Sequence, residues 1–119
     1  KSKIDYIILC GFLLKIPYTI ISEYKNKIIN IHPSLLPKYG GKGMYGSRVH
    51  KAVILNNEKI SGITIHFVNE EYDKGAVIFQ KEYALSFSET AESLAKAIQK
   101  LEHKYFSPII LQTINEDNL

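Results

Sequence analysis

Asn30-Ile31-His32-Pro33-Ser34-Leu35-Leu36-Pro37 decides how the chain is read. An amide and an imidazole stand two residues apart, directly after the apolar pair Ile28-Ile29. On a strand, residues i and i+2 point to the same side, so Asn30 and His32 share a face at a strand's end. Pro33 has no N–H to give to a ladder and ends it. The pair is equipped for chemistry. An amide N–H can donate to an oxygen that gains negative charge, and an imidazole moves protons near neutral pH. Taken alone, Asn-x-His also fits a polar strand end followed by a turn bracketed by prolines.

Upstream, Tyr6 to Cys10 is a continuous apolar run closed by Gly11. It predicts a central, parallel strand buried on both faces. Phe12 to Ile16, closed by Pro17, reads as a hydrophobic loop covering the core. Tyr18 to Lys25 predicts a short amphipathic helix with Ile21 and Tyr24 inward. Ile28 to Ile31 is then the second strand, and in open α/β sheets ligands bind at the carboxyl ends of strands.

Downstream, Lys38 to Arg48 carries Gly40, Gly41, Gly43 and Gly46. The spacing is neither a dinucleotide fingerprint nor a Walker loop, and the segment reads as a mobile loop beside the site. Ser47 to Leu55 has helical spacing and ends at Asn56-Asn57, with His50 expected on its exposed face. Ser61 to Val68 is the clearest strand, rich in β-branched residues. Gly62, Thr64, His66 and Val68 share one of its faces, and Ile63, Ile65 and Phe67 the other. His66 fits a buried structural group or a site group. Asn69 to Gly75 reads as a solvated acidic loop, and Val77 to Leu85 as a partly exposed strand antiparallel to the preceding one. Ser88 is placed to cap a helix with Leu94, Ala95, Ile98, Leu101 and Tyr105 on its apolar stripe. Pro108 is expected to break that helix, with one more turn over Ile109 to Ile114. Glu102, near its end, reads as a solvated helix residue.

The 119 residues suit one domain with a modest core. The net charge of +3 comes with scattered lysines, and no basic stripe for nucleic acid is visible. No apolar run is long enough for a membrane helix. The lone Cys10 sits in an apolar run and reads as a small buried hydrophobe, not a nucleophile. With no signal-peptide pattern, the expected compartment is the cytoplasm. No metal-ligand spacing is present.

Asn30 to Tyr39, followed later by the Asp73-x-Gly75 pattern after Val68, resembles the active-site signature of the formyltransferases that use 10-formyltetrahydrofolate. The resemblance runs from about Asp5 to about Ile110. It implies an α/β fold, the carboxyl-terminal half of a Rossmann-like formyltransferase domain, with a mixed, mostly parallel sheet flanked by helices. It implies a one-carbon group transferase of purine biosynthesis that moves a formyl group from 10-formyltetrahydrofolate to the amine of glycinamide ribonucleotide, without a metal. By the same match Asn30, His32 and Asp73 are catalytic. Leu13, Leu14, Lys15, Ile16, Asn30, Val68, Asn69, Glu70 and Asp73 line the folate site. Pro33 and Glu102 face the nucleotide substrate. Many relatives carry Arg where this chain has Leu14. Relatives also begin with a phosphate-binding strand, turn and helix start that has no counterpart here. The isolated chain is therefore expected to turn over little, and an open strand edge to invite self-association. Methionyl-tRNA formyltransferase, formyltetrahydrofolate deformylase and a silent folate-binding fragment are the alternatives. The first usually carries a basic extra domain, and the second usually has a His in place of Pro33.

Overall fold

A computed structural model describes residues 7–10, 28–41, 43–68 and 76–117, with side chains given from 28 to 114 of these. The chain runs β1 (Ile7–Cys10), β2 (Ile28–His32), α1 (Ser47–Leu55), β3 (Ile60–Phe67), β4 (Val77–Ala84) and α2 (Ala91–Asp117). The expected loop and helix between β1 and β2, and the acidic segment Asn69 to Gly75, lie outside the described residues, as do the side chains of β1.

The strands form one sheet in the order β1-β2-β3-β4. β1 and β2 are parallel, while β2–β3 and β3–β4 are antiparallel. The sheet is mixed, but the mostly parallel character expected from the resemblance is not found among the described strands. A parallel neighbour needs a crossover, whereas β4 returns directly after β3 and so pairs antiparallel to it. The β2–β3 ladder is closed at one end by the Val68 N–H, which donates to Ile28 O at 2.8 Å.

Alternation sorts the sheet into two faces. Ile29 and Ile31 of β2 join Ile63 and Ile65 of β3 in the core, together with Val49 and Val53 of α1 and Leu94, Ile98 and Ile110 of α2. β-Branched residues suit this pleated, buried surface. Gly62 lets β4 and the loop after β2 come close, since a Cβ there would lie 2.1 Å from Lys81 O and 2.7 Å from a Leu35 methyl carbon.

Two helix expectations are corrected. Pro108 does not break α2, which continues to Asp117. A proline removes one helical hydrogen bond, but Ile110 beyond it is buried in the core, with Ile109 and Ile114 packed beside it, and this burial holds the later turns in place. The start is capped by Thr90 rather than Ser88: the Thr90 hydroxyl accepts the Ser93 N–H at 3.1 Å, and Thr90 N–H donates to Ser93 Oγ at 3.0 Å.

Candidate active site

The β2–β3 register sets Asn30 opposite His66 and His32 opposite Thr64. Directly opposed residues project to the same side of a sheet, so the four side chains share the face away from the isoleucines. All four are buried. A register irregularity between Ile65 and His66, where β4 gains a residue, lies beside them.

His66 orients the Asn30 amide. Its Nδ1 lies 3.0 Å from the Phe67 carbonyl oxygen, which can only accept, so Nδ1 carries the hydrogen. Nε2 of the neutral ring is then an acceptor, and Asn30 Nδ2, 3.3 Å away, donates to it. The amide nitrogen, with a second N–H, is thereby fixed in place. Asn30 Oδ1 is buried and has no hydrogen-bond partner among the described residues.

Thr64 folds the loop after β2 back over β3. Its hydroxyl donates to Ser34 O at 2.7 Å and accepts the Leu36 N–H at 3.0 Å. Gln80 of β4 donates through Nε2 to Thr64 Oγ1 at 3.0 Å and to Leu36 O at 2.9 Å. The Ser34 hydroxyl closes the next turn on Lys38 O at 2.6 Å. The loop so folded delivers the Tyr39 carbonyl to His32, whose Nε2 donates to it at 2.8 Å. The glycines after it take left-handed backbone angles, with φ 94° at Gly41 and 85° at Gly43.

His50 is not on the exposed face of α1 as expected; it is buried. Burial, and then the neighbouring charge of His32, push its pKa below the ordinary histidine value. Its Nδ1 has no hydrogen-bond partner among the described residues.

Of the other residues marked by the sequence, Pro33 is buried directly after His32. Val68 is half-buried, and its N–H is committed to Ile28, leaving its carbonyl for any folate contact. Glu102 lies on α2 and is not a freely solvated residue: it is half-buried, and burial raises its carboxyl pKa, against a smaller opposing effect of His103. No hydrogen bond joins Glu102 to Asn30, His32 or His66 among the described residues. Leu13, Leu14, Lys15, Ile16, Asn69, Glu70 and Asp73 lie outside the described residues. Thr64, Gln80 and Tyr39 were not marked by the sequence. Thr64 stands two residues before His66 on the same strand face, which is the signal that points to it. A groove of about 540 Å³ is lined by Leu35, Lys38, Tyr39, Glu58, Ile60 and Ser61, among others, and includes neither Asn30 nor His32. No group of three His, Cys, Asp or Glu placed to hold a metal occurs among the described residues, and no described helix is long and apolar enough to cross a membrane.

An oriented amide beside a histidine, at the carboxyl end of a strand in an α/β sheet, is an arrangement able to donate to an oxygen that gains negative charge and to move a proton near it. Comparison gives the family: residues 1–110 match the description "Formyl transferase", and the chain belongs to that family. It is 44% identical over 110 residues to the chloroplastic phosphoribosylglycinamide formyltransferase of Arabidopsis thaliana, covering 92% of this chain and 38% of the relative. It is 37% identical over 116 residues to phosphoribosylglycinamide formyltransferase of Bacillus subtilis, covering 98% of this chain and 57% of the relative. The crystal structure of phosphoribosylglycinamide formyltransferase from Bacillus halodurans superposes with a TM-score of 0.82 at 33% identity, over 93% of this chain and 54% of that one. The chain thus spans between about two-fifths and somewhat over half the length of these proteins.

Two outcomes follow from this geometry. Thr64→Val keeps the side-chain shape but strands the Leu36 N–H and leaves Ser34 O without its donor, so the loss is expected to be about 1–3 kcal/mol of folding stability. An unchanged urea midpoint would contradict it. For His50, the unfolded chain takes up a proton below about pH 6.5 while the folded chain resists it. Stability therefore falls as pH drops below that value and is fully retained above it. His50→Gln should flatten this part of the profile, measured as urea midpoints at pH about 7.5 and about 5.5; an equal slope in parent and variant would show that His50 is not its source.

Proposed function

We propose that the chain supplies the catalytic and folate-facing part of an enzyme that transfers a formyl group from 10-formyltetrahydrofolate to the amine of glycinamide ribonucleotide. The observation that carries this reading is the buried Asn30–His66 contact, which presents an amide nitrogen and not an oxygen beside His32. Family membership and the names of the relatives support it.

The amine attacks the formyl carbon, which becomes tetrahedral and places negative charge on its oxygen. Asn30 donates to that oxygen, and as a neutral donor held in place beforehand it needs no reorganisation when the charge develops. His32 adds a second stabilising contact and passes a proton towards the leaving N10 of the folate. Asp73, two residues before Gly75, pairs with His32 through its charge, which leaves the ring N–H not held by Tyr39 to the substrate. Pro33 and Glu102 border the nucleotide. Leu13, Leu14, Lys15, Ile16, Val68, Asn69 and Glu70 border the pterin. The proton and electron count closes without a redox step, because the amine loses the proton that N10 gains.

The test is a formyl-transfer assay with the full protein that carries this chain, following 10-formyltetrahydrofolate consumption with and without glycinamide ribonucleotide. Asn30→Ala is expected to lower kcat by roughly 10²–10³-fold, and His32→Ala by roughly 10²–10⁴-fold. Consumption that proceeds equally without the amine would replace this reading with hydrolysis of the formyl-folate. Full transfer activity in Asn30→Ala would remove the amide from the mechanism.

A further inference from the structure

We propose that Tyr39 is a positioning residue for His32: it keeps Nε2 protonated throughout, so that the proton His32 exchanges in the reaction sits on Nδ1. This inference rests on the reading of His32 as the proton-moving group.

Tyr39 O lies 2.8 Å from His32 Nε2 and can only accept, so Nε2 donates. This holds for the neutral ring and for the imidazolium alike. A neutral imidazole carries one N–H, so the nitrogen that gains and loses the second proton is Nδ1. Among the groups near this ring are Tyr39 from the loop, Thr64 across the ladder and His50 of α1. Of these His50 is the other titratable base, and burial disfavours its charged form.

The carbonyl is aimed by a built anchor. Tyr39 takes φ 57°, a left-handed backbone conformation that non-glycine residues rarely adopt. Two glycines follow it, Gly40 and Gly41, and either would take such a turn at lower cost. The side chain explains why a tyrosine stands there. Its hydroxyl donates to Glu58 Oε2 at 2.6 Å and accepts from Asn56 Nδ2 at 3.1 Å. Lys38 Nζ reaches the same carboxylate oxygen at 3.4 Å. Asn56 and Glu58 are themselves pinned to the end of α1, through Asn56 N–H to Ala52 O at 3.0 Å and Glu58 N–H to Val53 O at 3.2 Å. The phenol's hydrogen bond holds the Glu58 carboxyl below the ordinary carboxylate range, while desolvation and Glu58 push the phenol up. At neutral pH the contact is therefore a neutral phenol on a charged carboxylate, a charge-assisted bond. The last residues of α1 are linked in this way to the ring of His32 through a single tyrosine.

The test reads the ring directly. The full protein carrying this chain is labelled with ¹⁵N-histidine, and long-range ¹H–¹⁵N spectra are recorded across the titration, with His32→Gln to assign the signal. The expected result is a pyrrole-type Nε2 and a pyridine-type Nδ1 for neutral His32, with Nδ1 moving on protonation. Tyr39→Phe keeps the carbonyl but removes its anchor, and should raise the Nδ1–H form roughly fivefold; Glu58→Ala should do the same. His66, held as the opposite tautomer by the Phe67 carbonyl, should keep its pattern in both variants, which separates a local effect from unfolding. A dominant Nδ1–H form in the parent, or an unmoved tautomer ratio in both variants, would overturn the proposal. The spectra do not depend on turnover. Loss of the formyl-transfer reading with Nε2–H intact would strike the reaction alone, and formyl transfer by a parent in the Nδ1–H form would strike the positioning alone.

Discussion

The antiparallel ladder between β2 and β3 fixes which side chains meet. Asn30 finds His66 and His32 finds Thr64 because Ile29 and Ile31 are held on the opposite face against Ile63 and Ile65. A slip of one residue would send the amide and the imidazole into the apolar core and turn the isoleucines to the polar face. The hydrophobic pattern therefore enforces the register, and the register assembles the site. The histidine that orients Asn30 and the threonine that folds the following loop both come from β3, two residues apart.

Buried polar groups in native proteins are almost always hydrogen-bonded, and exceptions call for a reason. Thr64 illustrates the rule: one hydroxyl bonds two backbone groups of the loop and the Gln80 amide. Asn30 Oδ1 and His50 Nδ1 are the exceptions nearest the site, buried without a hydrogen-bond partner among the described residues. In Asn30 the nitrogen is directed by His66, and the oxygen is the atom without a hydrogen-bond partner among the described residues. Burial disfavours a positive charge on His50 close to His32.

Much of this was legible in the chain itself. Asn30 and His32 stand out because they share a strand face just before a proline, and the alternation from Gly62 to Val68 gave the correct faces of β3. Family membership extended that reading to the fold. What the sequence left open depended on pairing. His66 could not be assigned until an antiparallel register put it across from Asn30, and Tyr39 could not be read because its carbonyl, not its side chain, meets His32. His50 was expected at the surface because helical spacing alone does not say which elements cover a helix face. Pro108 was read as a stop, but the buried Ile110 beyond it outweighs one lost hydrogen bond. Asp73 and the pterin-facing loop rest on the resemblance.

In the proposed reaction the β2–β3 ladder delivers an oriented amide and a carbonyl-tethered imidazole to one reacting oxygen. The most direct measurement is a crystal structure of the full protein carrying this chain with a stable 10-formyl-folate analogue bound. The expected result places the formyl oxygen about 3 Å from Asn30 Nδ2, with the His32 ring beside the formyl carbon and Asn30 still bonded to His66. An analogue bound with its formyl group away from Asn30, or with the amide turned to present Oδ1, would contradict the proposed role of Asn30.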